Sequence, residues 1–144
     1  MRLHGKGLCC IVKMKCDLPR EWLAQAEEDL EYGRLGLDGY PRASCWQFQQ
    51  AAEKSLKALL LQHEVSFPKT HDIARILTLV AELGFNVDDL REAAFRLTTL
   101  VPAMRYPGDF PDLSHADAKQ AEADAWKVYE WVSKRFQNLE QEGD

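Results

Sequence analysis

Residues 41–63, PRASCWQFQQAAEKSLKALLLQH, have an apolar pattern that fits a helix and little else. Cys45, Phe48, Ala52, Leu56, Leu59, Leu60 and His63 recur at three- and four-residue spacing, which places them on one side of a helix. Ala51, Ala58 and Leu61 widen that stripe, so the helix is covered on more than one side. Against it runs a polar string: Gln49, Gln50, Glu53, Lys54 and Lys57. The combination predicts a central position in a bundle, with one edge shown to water or to a partner.

The rest of the chain supplies the helices that such a bundle needs. Asp17-Leu18-Pro19 predicts the start of a first helix, since Asp caps well and proline suits a first turn. Trp22, Leu23, Ala26, Leu30 and Leu37 form its buried face, and glycines at 33, 36 and 39 stop it between Leu35 and Gly39. Thr70 is the expected cap of a third helix, with Ile73, Ile76, Leu77, Val80 and Leu83 as its stripe and Gly84 as its end. The stretch 86–89 offers a cap for a fourth helix, with Leu90, Ala94, Leu97, Val101 and Met104 inside; Pro102 should kink or end it. RYPGDFPD, residues 105–112, reads as a loop. Ser114 and Asp117 make a weak capping box for a last helix whose period runs from Ala118 to Leu139. No strand signal of any length appears. The expectation is an all-α, up-and-down bundle of about five helices.

Residues 1–16 do not share this patterning, with two glycines, three cysteines and no helical period. They are expected to form a flexible N-terminal extension, with Met14 as the native start; a short strand over Leu8–Val12 is the rival reading. The domain boundaries follow as 1–16 for the extension, 17–139 for the helical domain and 140–144 for a disordered tail.

Charge and composition exclude several classes of function. Net charge is −5, from 23 acidic and 18 basic residues, which argues against broad nucleic-acid binding driven by phosphate neutralisation. It leaves room for a small basic site. Cys9, Cys10, Cys16 and Cys45 match neither a disulfide framework nor a zinc site, so reduced thiols and a cytoplasmic location are expected. No apolar run approaches the ~20 residues of a membrane span. No phosphate-binding glycine loop, dinucleotide turn or HExxH pair occurs, and His4, His63, His71 and His115 are scattered singly. No metal and no cofactor is expected, nor is a local catalytic cluster visible.

Three polar patches remain as candidates. Gln50, Glu53, Lys54 and Lys57 fall at i, i+3, i+4 and i+7 and share a face, with Glu53 and Lys57 set for an i,i+4 pair; a merely solvated edge is the plainer account. Thr70-His71-Asp72 puts a histidine at a helix start, where it could help to hold an anion or simply pack into the turn. Arg105-Tyr106-Pro107 puts an arginine and an aromatic at a helix end, suited to phosphate or carboxylate, or to the helix's own last carbonyls. Trp22, Trp46, Trp126 and Trp131 all fall within helices and are read as packing residues.

Together these pieces resemble a known family. The run Phe48-Gln49-Gln50-Ala51-Ala52-Glu53-Lys54-Ser55-Leu56-Lys57-Ala58-Leu59-Leu60 looks like the signature helix of HEPN-domain proteins (higher eukaryotes and prokaryotes nucleotide-binding). Trp22 and Asp29-Leu30 fit the family's first helix. Thr70-His71-Asp72-Ile73 with Leu77, Arg105-Tyr106-Pro107, and Asp117-Ala118 fit its later segments. The resemblance covers roughly residues 19–135.

The resemblance implies a prokaryotic helical bundle, commonly a homodimer, often encoded beside a minimal nucleotidyltransferase. It implies either nucleotide binding or assistance to that partner in a two-component, toxin–antitoxin-like system. A second branch of the family consists of RNA-cleaving toxins with an Arg-x4–6-His motif. This chain departs from that motif: nine residues separate Arg105 from His115, and Arg96 has no histidine at the required distance. A metal-independent ribonuclease, and a purely structural dimer, are therefore the alternatives. On the favoured expectation Arg105 with Lys54 or Lys57 meets phosphate, Gln50 and His71 orient it, and Tyr106 stacks on a base.

Overall fold

The computed structural model describes the backbone of residues 4–142 and the side chains of residues 17–138. The helices are α1 (His4–Leu35), α2 (Pro41–Gln62), α3 (Ile73–Glu82), α4 (Arg91–Thr99), α5 (Val101–Arg105) and α6 (His115–Glu142), with a 3-10 turn at Asp88–Leu90. No strand occurs among the described residues; one isolated bridge, Pro107 to Phe110, tightens the loop after α5. The chain is an all-α bundle.

The helix α2 is at its centre, touching α1, α3, α4, α5 and α6. Its stripe is buried as the spacing requires: Cys45, Phe48, Ala52, Leu56, Leu59 and Leu60 have no exposure, and only His63 at the end reaches solvent. Burial, with a smaller contribution from Asp117, raises the Cys45 thiol to about 11, so it stays protonated.

The helices α1 and α2 meet closely because Gly33 has no side chain. A Cβ there would lie 2.5 Å from Phe48 Cε1. The Ser44 hydroxyl donates to the Gly33 carbonyl at 2.7 Å, across the same contact. Further along, Arg34 pairs with Glu122 of α6 at 2.9 Å while its guanidinium covers the Trp126 ring at 4.4 Å. Burial alone would raise the Glu122 carboxyl, but hydrogen bonds from Lys119 and Arg34 outweigh it and hold the group below its ordinary value. The helix α4 is tied to α6 by a two-pronged pair: Arg96 Nε and Nη2 donate to the buried Asp124 carboxylate at 2.9 and 2.7 Å.

Several local features differ from the sequence expectation. The first helix begins at His4, not at Asp17, and runs through Pro19. A cap residue followed by proline permits a helix start there but does not forbid turns before it; proline removes a single hydrogen bond. The backbone of residues 8–12 is accordingly helical, not a strand. Residues 1–3 and the side chains of 4–16 lie outside the described residues, as do residues 143–144, while the expected tail is helical as far as Glu142.

The cap of α3 is Asp72, not Thr70: its carboxylate accepts from Arg75 N at 3.1 Å, and Thr70 Oγ1 instead accepts from Asp72 N. The expected fourth helix is broken at Leu100 into α4 and α5. Pro102 has no N–H for the Thr98 carbonyl, so the chain breaks ahead of it and Pro102 takes a place in the first turn of α5. At Ser114 the capping box forms as expected, with Ser114 N donating to Asp117 Oδ2 at 2.8 Å and Asp117 N donating to Ser114 Oγ at 3.1 Å.

Gly33→Ala separates two opposing effects. Alanine favours a helix by about 1 kcal/mol over glycine. Forcing a methyl against a fully buried ring costs about 1–3 kcal/mol. Urea denaturation should show a net loss of stability; a gain would mean that Phe48 can move aside freely.

Candidate functional site

The polar string of α2 does not form a solvated edge. Gln49 is fully buried, and Glu53 and Lys57 are 5% and 6% exposed. They lie beneath the 65–72 segment and fasten it. Lys57 Nζ donates to Glu53 Oε2 at 2.9 Å and to the Thr70 carbonyl at 3.2 Å, and sits 5.0 Å from the Phe67 ring centre. Glu53 Oε1 lies 2.8 Å from His71 Nδ1. Gln49 Nε2 donates to the His71 carbonyl at 2.8 Å, and Gln50 Nε2 donates to Gln49 Oε1 at 3.0 Å. Three side chains of one helix thus hold the start of α3, and Gln50 braces one of them.

This arrangement sets the histidine's chemistry. Glu53, paired with the Lys57 ammonium, is an acceptor, so His71 Nδ1 carries the proton that bridges them. The ring is 46% exposed, and Nε2 makes no hydrogen bond among the described residues. The Trp46 ring lies 6.1 Å from it.

Trp46 also forms one wall of a groove of about 420 Å3 between α2 and α5, lined by Arg42, Ala43, Trp46, Gln47, Met104 and Arg105. Arg42 donates to the Met104 carbonyl at the end of α5. Arg105 makes no hydrogen bond or ion pair among the described residues, and neither guanidinium has a carboxylate partner there. Arg34, Arg91 and Arg96, by contrast, are each paired with an acid. Arg42 also lies in the first turn of α2, at the positive end of the helix dipole, where a cation is unfavourable unless something offsets it.

The structure therefore divides the residues singled out from the sequence. Arg105 lines the groove, and His71 adjoins it through Trp46. Lys54 turns to α1 and contacts Asp29 at 2.8 Å, while Lys57 is held inside by Glu53 and Thr70. Gln50 is half-buried, one step behind Gln49. Tyr106 is exposed and does not line the groove. His115 contacts Asp38, on the α1–α2 turn, at 3.3 Å. Arg42 and Trp46 are absent from the sequence candidates. The basic residue in a first helical turn is the available signal for Arg42; nothing local distinguishes Trp46 from the packing tryptophans.

A central helix that fastens a histidine beside a short arginine-bearing helix defines a class of all-α bundle with a polar groove at one end. The chain belongs to the HEPN domain family, whose model matches residues 19–136. No curated protein matches it. Among solved structures it is similar to TT1696 from Thermus thermophilus, at 30% identity and a TM-score of 0.73, over 81% of this chain and 96% of that one. It is also similar to ST0689, an archaeal HEPN homologue, at 26% identity and a TM-score of 0.65, over 81% of this chain and 96% of that one. A HEPN domain protein from Thermotoga maritima, TM0613, shares the fold at 21% identity and a TM-score of 0.65, over 81% of this chain and 98% of that one.

The buried pair gives a non-additive expectation. Removing Glu53 alone (Glu53→Leu) or Lys57 alone (Lys57→Met) leaves an uncompensated buried charge, at a cost of about 3–5 kcal/mol. The double variant should lose less than the sum of the two, as measured by urea denaturation. Additive losses would show that the two charges are already solvated.

Proposed function

We propose that the α2–α5 groove binds the phosphate of a nucleotide. The observation that carries this reading is the presence of two arginines without acidic partners in one groove of an acidic protein. A guanidinium offers planar, paired donors that suit phosphate oxygens. The first-turn N–H groups of α2 and the positive end of its dipole add to the same field. Trp46 supplies an apolar wall, and His71 Nε2 a further donor or acceptor at the groove's edge. Lys54 and Lys57 take no part, because Asp29 and Glu53 already hold them.

Calorimetry tests the reading directly. The chain should bind ATP or GTP, and Arg105→Ala should weaken binding by about 10-fold or more, the value of a charge-assisted hydrogen bond near 1.5–3 kcal/mol. Affinity should also fall as salt rises. No heat at millimolar nucleotide would end the proposal.

A second reading, cleavage of RNA, draws on the Glu53–His71 contact. A carboxylate that orients an imidazole with its other nitrogen free is a general-base arrangement. Incubation of the chain with RNA separates the two: cleavage lost in His71→Ala favours catalysis, and intact RNA favours binding alone.

A further inference from the structure

The groove does not end at Arg42 and Arg105. Ala43 and Gln47 also line a second hollow of about 350 Å3, on the other side of α2 against the end of α1. Its remaining walls include Tyr32, Leu35, Tyr40 and Ser44. Three of these are among the most exposed large apolar side chains of the chain: Leu35 at 85%, Tyr40 at 73% and Tyr32 at 64%. One hollow is thus arginine-flanked and the other aromatic, and the two share a ridge.

We propose that the aromatic hollow holds the nucleobase of the same ligand, a mononucleotide whose phosphate lies at Arg42 and Arg105. This rests on the phosphate reading above and extends it. Position on α2 explains why one ligand can span both hollows. Arg42 and Trp46 are one turn apart and face α5; Ala43 and Gln47, also one turn apart, form the ridge between the hollows. Ala43 has only a methyl group, so the ridge is low at that point. Gln47 has no hydrogen-bond partner among the described residues, and its amide offers both a donor and an acceptor to a base edge. The Tyr32 and Tyr40 rings, from α1 and from the cap of α2, offer apolar faces on which a base stacks. Ser44 is already fixed by its bond to Gly33 and serves as wall.

The proposal places the base at Tyr32 and Tyr40, not at Tyr106 beyond the groove. It is tested by titrating the full chain with ATP, GTP and inorganic tripolyphosphate, alongside Tyr40→Ala, Tyr106→Ala and Ala43→Leu. Loss of one stacked base costs about 1–3 kcal/mol, or roughly 5- to 150-fold in affinity. Tyr40→Ala should therefore weaken nucleoside triphosphate binding by about 10-fold and leave tripolyphosphate unchanged. Ala43→Leu, which raises the ridge between the two hollows, should weaken nucleoside triphosphate binding more than tripolyphosphate binding, and Tyr106→Ala should alter neither ligand. Equal affinity for nucleotide and tripolyphosphate, with the Tyr40 and Ala43 variants inert, overturns the base site while the phosphate site stands. Loss of base-dependent affinity in Tyr106→Ala overturns it as well. Failure of both ligands to bind removes the phosphate reading and this one with it. If Tyr40→Ala changes only the sedimentation mass of the chain, the hollow is a contact between copies and the proposal falls.

Discussion

The buried pair of Glu53 and Lys57 determines more of this structure than any other contact. Two charges nearly removed from water must satisfy each other and their remaining hydrogen-bonding positions. They do so by recruiting the Thr70 carbonyl and the His71 ring, which brings the 65–72 segment down over α2. Gln49 adds a third tie, to the His71 carbonyl. The start of α3 is thereby set against the middle of α2, and the histidine is held in one orientation. An apolar substitute could fill the same volume, but it would not position an imidazole.

Several charges cancel in pairs. Arg34 meets Glu122, Arg96 meets Asp124, and Lys54 meets Asp29. In the groove between α2 and α5 two arginines have no such partner among the described residues. The electrostatic field of an acidic protein is negative at long range, yet two arginines line this one groove beside a helix N-terminus. The binding reading depends on this local inversion of sign, which net charge does not reveal.

Much of the fold was legible because its signals are local. The stripe of α2 needed only the helical period, and the capping box at Ser114 and Asp117 only three residues of spacing. Where two local signals competed, the sequence was less decisive. Thr70 and Asp72 are both good caps, and the one whose carboxylate reaches Arg75 N prevails. Asp17-Pro19 resembles a start, yet the helix passes through it. Pro102 has the signature of a kink near a helix end; it instead opens a new short helix, which is why Arg105 projects at the groove. Of the site, His71 and Arg105 could be named from residue type and position. Trp46 could not, since an indole on a helix reads as core until its neighbours are known.

The sequence by itself determined the class: an all-helical chain, a doubly covered central helix, and the segments that resemble the HEPN family. These follow from hydrogen bonds and side-chain spacing within a few residues, which any window of the chain contains. The tertiary structure alone decided which polar residues are free. Lys54 looks like Arg42 and Arg105 in a sequence, as an unpaired cation near a helix end or face, whereas Lys57 already has Glu53 one turn away. The partners of the two lysines come from α1, from α2 itself one turn away and from the loop before α3, and only packing brings Asp29 to one and Thr70 to the other. A charge is available to a ligand when no fold-distant acid reaches it, and that is a property of three-dimensional neighbours.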